Sequence, residues 1–378
     1  MNKLLITIAT LLAFALSSVA FADGHSAKLS GFMQRIIGAG DNVDGGVAEQ
    51  FTRFVIDADT TIDNGWTVGG SMSILTAGMT GGGYGPSTNS MYIQTDMMTI
   101  NIGNTVDANT RLVPAVSAMV PGGGIDAGYQ FLFDGGNIGA QGVSGREAYY
   151  ANNNAKIDIA LPTVNGFTVG MTYVPDHQFD ATIQGRAAPD EESAAHGESI
   201  HVAASYAGEM EGISYVAGVG VISGNSQGQI TGQGTSVTTN NDLSSFTAAI
   251  KLTMGNMTIG FAGFDNGASF GASSDTDKAN NSGWNSSVTW AMGNITIGAG
   301  FNHQENTRGT RAFAATTGAT GLAPDVREDN HTFFGIGYDM GGGVNTFVQL
   351  SSNDHDDGNH VTDEVDPKVL FAGISLGF

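Results

Sequence analysis

Charged residues near residue 55 fall only on odd-numbered positions, and this spacing indicates that one side of a wall of extended strands is polar. Arg53 and Asp57 share a side with Asp59, while Phe54 and Ile56 share the other. Opposed charges across a narrow, water-filled gap create a transverse field that orients polar solutes and filters ions without binding them tightly. By the same parity, the candidate constriction charges of the wall are Arg53, Lys28, Lys156, Lys251 and Asp57, with Asp96 and Asp158 also facing the lumen.

The longest connection between predicted strands, residues 105–146, supplies the candidates for the opposite side of such a gap. A loop of this length is unusual without a function of its own. Prolines and a glycine run allow sharp bends, and Phe131 and Phe133 could pin the loop to the wall. A rim position outside the barrel is the alternative. The candidate loop charges are Asp107, Asp126, Asp134 and Arg111.

Metal binding and catalysis have weaker signals. Asp354, Asp356 and Asp357 are weak Ca²⁺ candidates because Ca²⁺ takes oxygen ligands, but their spacing does not match a calcium loop, which favours a solvated acidic loop. No other cofactor is expected.

Most histidines lie in predicted loops without a motif, and His201 on a strand has no identifiable nucleophile. No catalytic residue is assigned, and we do not expect an enzyme.

Strands must position these residues, because alternating apolar and polar residues recur along the chain. The last ten residues alternate strictly and end on Phe378, with Leu370, Ile374 and Leu376 on the apolar side and Gly377 on the other. Such a period of two is typical of strands and not of an amphipathic helix. Trp66, Trp284, Trp290, Tyr173, Tyr206 and Tyr338 fall near strand ends on the apolar side, which suits aromatic girdles at membrane interfaces.

Short, Asn- and Gly-rich turns alternate with long polar loops, as in outer-membrane barrels. The sequence therefore predicts an all-β fold, a 16-stranded antiparallel transmembrane β-barrel with short periplasmic turns and long extracellular loops. A barrel of about 16 strands is too wide for side chains to fill and leaves an aqueous channel. The predicted strands are 27–38, 49–62, 66–75, 90–97, 98–104, 147–161, 167–175, 198–206, 213–222, 245–253, 257–264, 283–291, 295–302, 329–339, 344–352 and 367–378.

Composition and the N-terminus indicate an exported protein. Residues 1–22 have a basic start, an apolar run and a small-residue site, which predict a cleavable signal peptide followed by a single domain over 23–378. The chain has no cysteine, which excludes disulfides and thiolate metal sites. A formal net charge of -22 argues against nucleic acid as a partner. Divalent cations are expected to bridge this acidic surface to lipopolysaccharide.

Three segments resemble the Gram-negative general porins, particularly those of alphaproteobacteria. They are residues 28–32, residues 156–175 with a strand, a Pro-x-x-x-Gly turn and a second strand, and residues 373–378. The resemblance implies a homotrimer of 16-stranded barrels in the outer membrane, each with a water-filled pore and with the third long loop folded into it. It also implies that the barrel-assembly machinery reads the C-terminal strand. Residues 120–126 depart from the acidic motif of the enteric porins' loop.

We therefore expect passive diffusion of small hydrophilic solutes and ions, with a preference for cations because acidic residues outnumber basic ones, 36 to 14. Arg53 is similar to one constriction arginine of the family, through its aromatic-x-Arg-aromatic pattern. A substrate-specific channel for a sugar or another nutrient is the main alternative. A barrel enzyme and an adhesin are less favoured.

Overall fold

The chain forms one closed β-barrel of sixteen strands, all antiparallel to their neighbours. The structure is a computed structural model that describes residues 25–40, 47–77, 85–123, 155–176, 196–226, 228–230, 237–239, 241–269, 280–308, 325–356 and 368–378. The predicted signal peptide lies outside these ranges. The barrel strands are β1 His25–Gly40, β2 Val47–Thr61, β3 Thr67–Ala77, β4 Gly85–Gln94, β5 Thr99–Asn104, β6 Ala155–Ala160, β7 Phe167–Asp176, β8 His196–Met210, β9 Ile213–Ser226, β12 Leu243–Met254, β13 Met257–Asp265, β14 Asn280–Met292, β15 Ile295–Arg308, β16 Asp325–Gly341, β17 Val344–Asp356 and β18 Lys368–Gly377.

The two additional strands, β10 (Gly228–Ile230) and β11 (Val237–Thr239), form a separate hairpin that the sequence did not predict. The predicted fold class is confirmed, and every predicted barrel strand overlaps an observed one. Residues 147–154 of the predicted sixth strand lie outside the described ranges. None of the helices in those ranges is long and apolar enough to cross a membrane.

The barrel closes where the first strand meets the last. Gly31 N donates to Phe378 O at 2.9 Å, and Phe378 N donates to Gly31 O at 3.0 Å. Consecutive pairing then continues around the ring until β2 returns to β1. The C-terminal strand is therefore an integral part of the wall, and its pairing leaves no free edge at the seam.

Short connections lie at one end of the barrel, here called the short-turn end, and the long connections lie at the other, the long-loop end. Asn165 and Gly166 take positive φ values of 50° and 85° in the turn between β6 and β7. Asn and Gly tolerate this conformation better than other residues. Asp96 was predicted to face the lumen from a strand, but β4 ends at Gln94 and Asp96 is exposed in the following turn.

The two faces of the wall alternate as predicted, with Leu370 and Ile374 exposed on the outside and Val369 and Phe371 buried on the inside. Trp66, Trp290 and Tyr338 are also exposed, as girdle residues should be. The inner face also carries large aromatic residues. Phe333, Phe347 and Phe371 point inward and are buried, because part of the interior is packed with protein and is not open to water.

Candidate functional site

The described first part of the long loop, residues 105–123, lies inside the barrel. It contains a short helix, α1 (Ala108–Leu112), and a 3-10 helix (Ser117–Met119). Asp107 caps α1, because its Oδ1 accepts a hydrogen bond from Thr110 N at 3.0 Å and satisfies a free N–H group of the first turn. The sequence places Asp107 directly before a run that can form a helix, and the cap fixes where that helix begins.

Glycines on the inner face of the wall make room for the loop. A Cβ atom at Gly260 would lie 2.8 Å from Val116 Cγ1 and 2.9 Å from Met119 Sδ, and one at Gly337 would lie 3.0 Å from Pro121 Cβ. These distances are too short for an unshifted loop, so each glycine permits the close approach. The inward glycines against which the loop packs are Gly170, Gly218, Gly220, Gly260, Gly298, Gly335 and Gly337.

Two small apolar clusters complete the packing of the loop. Ala108 and Leu112 of α1 bury against Ala203 of β8. Further along the loop, Val113 and Val116 pack against the inward alanines of β12 and β13, with Met119 beside them. Together with the glycines, these contacts hold the described loop along the wall from β6 round to β17. The remaining part of the circumference is formed by six strands, namely β18 and β1 to β5.

Asp158 on β6 is the centre of a buried polar network under the loop. Its Oδ1 accepts from Thr172 Oγ1 at 2.7 Å, and its Oδ2 accepts from Asn101 Nδ2 at 3.2 Å and from Arg111 Nη1. Thr172 Oγ1 also accepts from Ala108 N at 2.8 Å. The side chain of Asp158 is fully buried, so the ion pair with Arg111 is shielded from solvent on one side. The network ties α1 to three wall strands, β5, β6 and β7.

Lys156 faces inward as the parity predicted, but it does not line open water. The residue is 2% exposed, and its Nζ donates to the carbonyl oxygen of Thr105 at the beginning of the loop. The prediction of Lys156 as a constriction charge is therefore corrected, because the loop covers this part of the wall. Lys156 instead neutralises buried carboxylates nearby and holds the loop's first residue.

Asp107 likewise serves the loop and not the open channel, contrary to its prediction as an acidic filter residue. It is 1% exposed, and its Oδ1 lies 3.7 Å from His201 Nδ1. Burial alone would raise the pKa of Asp107, but the hydrogen bond and charge of His201 and the hydrogen bonds from Thr110 outweigh it and lower this pKa to about 2. The carboxylate is thus ionised at neutral pH and bound on two sides.

The arrangement in space of Ser199, His201 and Asp107 resembles that of a nucleophile, a base and an acid. Ser199 Oγ lies 3.0 Å from His201 Nε2, so the structure supplies the neighbour that sequence reasoning missed. Both Ser199 and His201 are completely buried beneath the loop. A hydroxyl nucleophile must reach a substrate, and this one is covered by protein, so the three residues act as a structural latch. Sequence separation hid the arrangement, since Asp107 and His201 are far apart in the chain.

The other predicted wall charges lie away from the latch. Lys28 and Asp57 are register partners on β1 and β2, and Arg53 pairs with Phe32 on the same inward face. Lys28 is exposed, while Arg53 and Asp57 are half-buried. Lys251 faces inward from β12, opposite Val216 and Gly260. The structure therefore divides the predicted charges into an anchored set under the loop, a wall set on β1 and β2, and Lys251 by itself on β12.

Arg111 is both anchored and partly open to the interior. Its guanidinium pairs with Asp158, while its side chain is about a quarter exposed. Asp126 and Asp134 lie outside the described residues. So does Asp357, while Asp354 is exposed near the end of β17 and Asp356 ends that strand. Within the part of the chain that the structure describes, no three metal-binding side chains come together, and Ca²⁺ at the acidic run stays a prediction.

A closed, sixteen-stranded barrel with a loop packed inside it is the architecture of an outer-membrane channel. A model of the Gram-negative porin family matches residues 9–358, so this chain belongs to that family and resides in the outer membrane. The family and the fold indicate a channel and not an enzyme. No curated protein sequence matches the chain.

Solved structures show the same fold at low sequence identity. The anion-selective porin from Comamonas acidovorans has a TM-score of 0.61 at 12% identity, covering 94% of this chain and 100% of that one. The in-vitro folded, trimeric form of OmpT from Vibrio cholerae has a TM-score of 0.60 at 11% identity, with the same coverage. A mutant of the porin of Rhodopseudomonas blastica has a TM-score of 0.56 at 17% identity, covering 93% and 100%.

Proposed function

We propose that this porin forms a water-filled channel through which small hydrophilic solutes and ions diffuse passively, without catalysis. The observation that carries the proposal is the position of the loop. Residues 105–123 follow the inner wall from β6 to β17, and glycines let them lie flat against it. A loop held in this way narrows a wide barrel without plugging it, which leaves the β1 and β2 wall to border the path of the solute.

Charges on that wall tune which ions pass. Arg53, Lys28 and Asp57 face inward, so both signs border the channel. We propose that residues 105–146 form the constriction and that these wall charges act across from it. A wall that carries charges of both signs gives a transverse field and only a weak net preference for cations or anions.

The preference for cations that we propose arises from the acidic surface and not from this wall. The formal net charge of -22 attracts cations to the channel mouths. Salt screens such charges within about 10 Å at 0.1 M and within about 3 Å at 1 M. Cation selectivity should therefore be measurable in dilute salt and should fade in concentrated salt.

A substrate-specific channel finds less support. Selective channels present aromatic side chains to the solute, whereas the inward-pointing Phe333, Phe347 and Phe371 are buried. The rings of Phe347 and Phe371 pack against each other with centroids 6.3 Å apart, and the ring of Phe333 lies 5.9 Å from that of His331. These rings contribute to the interior packing of the wall and are closed to a passing solute.

The assembly that we propose is a homotrimer in the outer membrane. Its support is the family and the trimeric form in which one structural relative, OmpT of Vibrio cholerae, was solved. We further propose that divalent cations bridge the acidic surface to lipopolysaccharide. The strand that ends at Phe378 closes the seam of the barrel, which suits a signal read by the barrel-assembly machinery.

Planar-bilayer recording of the refolded mature protein under a KCl gradient tests the proposal. Ohmic steps in groups of three, with a cation-selective reversal potential at 0.1 M that shrinks towards 1 M, are the expected result. Steps blocked by one particular sugar would favour a specific channel, and an absence of ohmic steps would exclude an open pore. If cation selectivity at 1 M equals that at 0.1 M, it arises at the constriction and not from the acidic surface.

A further inference from the structure

Tyr92 of β4 lies flat against the inner wall of the barrel. Its register partner is Gly69 of β3, and a Cβ atom at Gly69 would lie 2.5 Å from Tyr92 Cζ and 2.6 Å from the phenol oxygen. Only a residue without a Cβ atom leaves this space. Gly69 is buried and Tyr92 is half-buried. The phenol ring therefore crosses β3 with one face on the wall and the other towards the channel.

The ring of Tyr92 reaches a carboxylate on the next strand. Its hydroxyl donates to Asp59 of β2, which is the register partner of Gly69 on the other side. From β1, Ser26 Oγ donates to Asp59 Oδ2 at 2.7 Å. A carboxylate has about four lone-pair sites, and these two donors occupy two of them. Asp59 is half-buried and keeps acceptor capacity for a solute in the channel.

Two further charges lie beside this pair. Asp57 faces inward two residues before Asp59 on β2, and its charge acts on the phenol of Tyr92. The register partner of Asp57 is Lys28, an exposed cation. Two carboxylates and one ammonium give the patch one net negative charge. An aromatic face attracts an organic cation, so this composition favours a monovalent ammonium group over a divalent metal ion, which requires several oxygen ligands.

The patch lies at the short-turn end, on the part of the wall that the described loop leaves open. Asp59 is two residues from the end of β2 at Thr61, and Tyr92 is two residues from the end of β4 at Gln94. Arg53 lies six residues further up β2, which is about 15 Å along the barrel axis for strands tilted by about 40°. A solute that enters from the short-turn end therefore meets this patch before it meets Arg53.

We propose that Tyr92, Asp59 and Asp57, here called the mouth site, bind small solutes that carry a primary ammonium group. The ammonium lies over the open face of the phenol ring and donates to Asp59. This inference rests on the open channel of the proposed function and adds a weak binding step at one end of it. One ring forms a single contact and not a continuous aromatic track, so diffusion through the channel stays passive.

Block of the single-channel K⁺ current by butylammonium in planar bilayers tests the mouth site. The uncharged probe of the same length is 1-butanol, which should block far less. A cation that enters from the short-turn end crosses little of the membrane potential before it binds, whereas one from the long-loop end crosses most of it. Block from the short-turn end should therefore depend less on voltage. Equal block by 1-butanol, or equal voltage dependence from both ends, would overturn the proposal.

Loss of the aromatic face should weaken the block. In Tyr92→Leu, the butylammonium concentration for half-block should rise about fivefold. Tyr338→Leu is the matched control, because Tyr338 is 47% exposed on the outer face near the same end. An unchanged half-block concentration in Tyr92→Leu would overturn the proposal. A native chain without ohmic steps would overturn the proposed function and the mouth site with it, whereas ohmic steps that butylammonium leaves unaltered would overturn the mouth site alone.

Two further variants separate the position of the ring from its mere presence and test the carboxylate. Gly69→Ala displaces the ring but keeps Tyr92, and should weaken the block as Tyr92→Leu does. Gly70→Ala is its control, since that methyl group points outward, 3.2 Å from Ser90 O.

Asp59→Asn should also raise the half-block concentration about fivefold, because one unit charge at 4 Å contributes about 1 kcal/mol in water. Asp63→Asn, in the exposed turn after β2, should leave it unchanged. Equal effects of Asp59→Asn and Asp63→Asn would show that the acidic surface attracts the amine and that no mouth site exists.

Discussion

Arg111 of the loop helix donates to Asp158 of β6, and this ion pair joins the loop to the wall across 47 positions of sequence. Asp158 is fully buried and Arg111 only partly so. Removal of one partner of such a pair leaves the other charge without compensation and costs more than the pair contributes.

We expect Asp158→Ala to loosen the loop. Loss of a partner from a buried pair costs about 3–5 kcal/mol, and most of this penalty should fall on the loop's attachment, because sixteen strands still close the barrel. Open-channel current noise should rise, and the free energy of unfolding in denaturant should fall.

The double variant Arg111→Ala/Asp158→Ala serves as the control. It removes both charges and should recover part of the stability lost in Asp158→Ala, as a double-mutant cycle would show. Strictly additive losses in the two single variants would contradict direct coupling.

A second prediction concerns the inward glycines. Gly260→Ala places a methyl group 2.8 Å from Val116 Cγ1 and should displace the loop at a cost of about 1–3 kcal/mol. Gly263→Ala on the same strand points outward, where the nearest atom would be 3.5 Å away, and should have little effect. The comparison requires thermal unfolding and single-channel conductance of both. Equal behaviour would show that the loop does not press on the wall at this point.

The latch should respond to acid through Asp107. Its pKa of about 2 in the folded state lies below the ordinary value of 3.8, so its stabilisation is complete above about pH 4 and is lost as the pH falls towards 2. The difference between the ordinary pKa of 3.8 and the folded pKa of about 2 corresponds to roughly 2.5 kcal/mol. His201, Lys156 and Thr110 are the groups that face this carboxylate.

The measurement is the free energy of unfolding between pH 2 and pH 7 for the native chain and for Asp107→Asn. Many carboxylates titrate in this range, so the difference between the two proteins isolates Asp107. The difference in free energy of unfolding between the native chain and Asp107→Asn should be largest above pH 4 and should approach zero towards pH 2. A difference that stays the same at every pH would mean that the ionised form of Asp107 is not the one that stabilises the loop.

The wall arginine should affect selectivity. Arg53→Ala removes a positive charge from the inner face of β2, and one exposed charge acts on an ion at 4 Å by about 1 kcal/mol in water. The cation-to-anion permeability ratio should therefore rise several-fold in dilute salt. Reversal potentials measured at 0.1 M KCl give this ratio.

Lys156→Gln is the contrasting variant for the same recordings. Because the loop covers Lys156, we expect a loss of stability with little change in the permeability ratio. A larger selectivity change for Lys156→Gln than for Arg53→Ala would reverse the assignment of the two charge sets.

Alternation along each strand made the barrel predictable from sequence, because neighbours in a strand face opposite sides and the membrane demands apolar residues on one of them. The same parity correctly placed Arg53, Lys156 and Asp158 on the inner face. It could not distinguish Arg53, beside the channel, from Lys156, beneath the loop. That difference depends on where residues 105–123 lie, and no local pattern of the chain encodes it.

The amino-acid sequence alone determined the fold class, the number of strands and the side of the wall on which each charge lies. Only the tertiary structure decided that Asp107, Lys156 and Asp158 form a buried anchor and that Ser199 and His201 are covered. Strand periodicity is a local property that a sequence displays directly. Depth and burial arise from register around a closed ring and from a loop that crosses it, and both depend on residues distant in the chain.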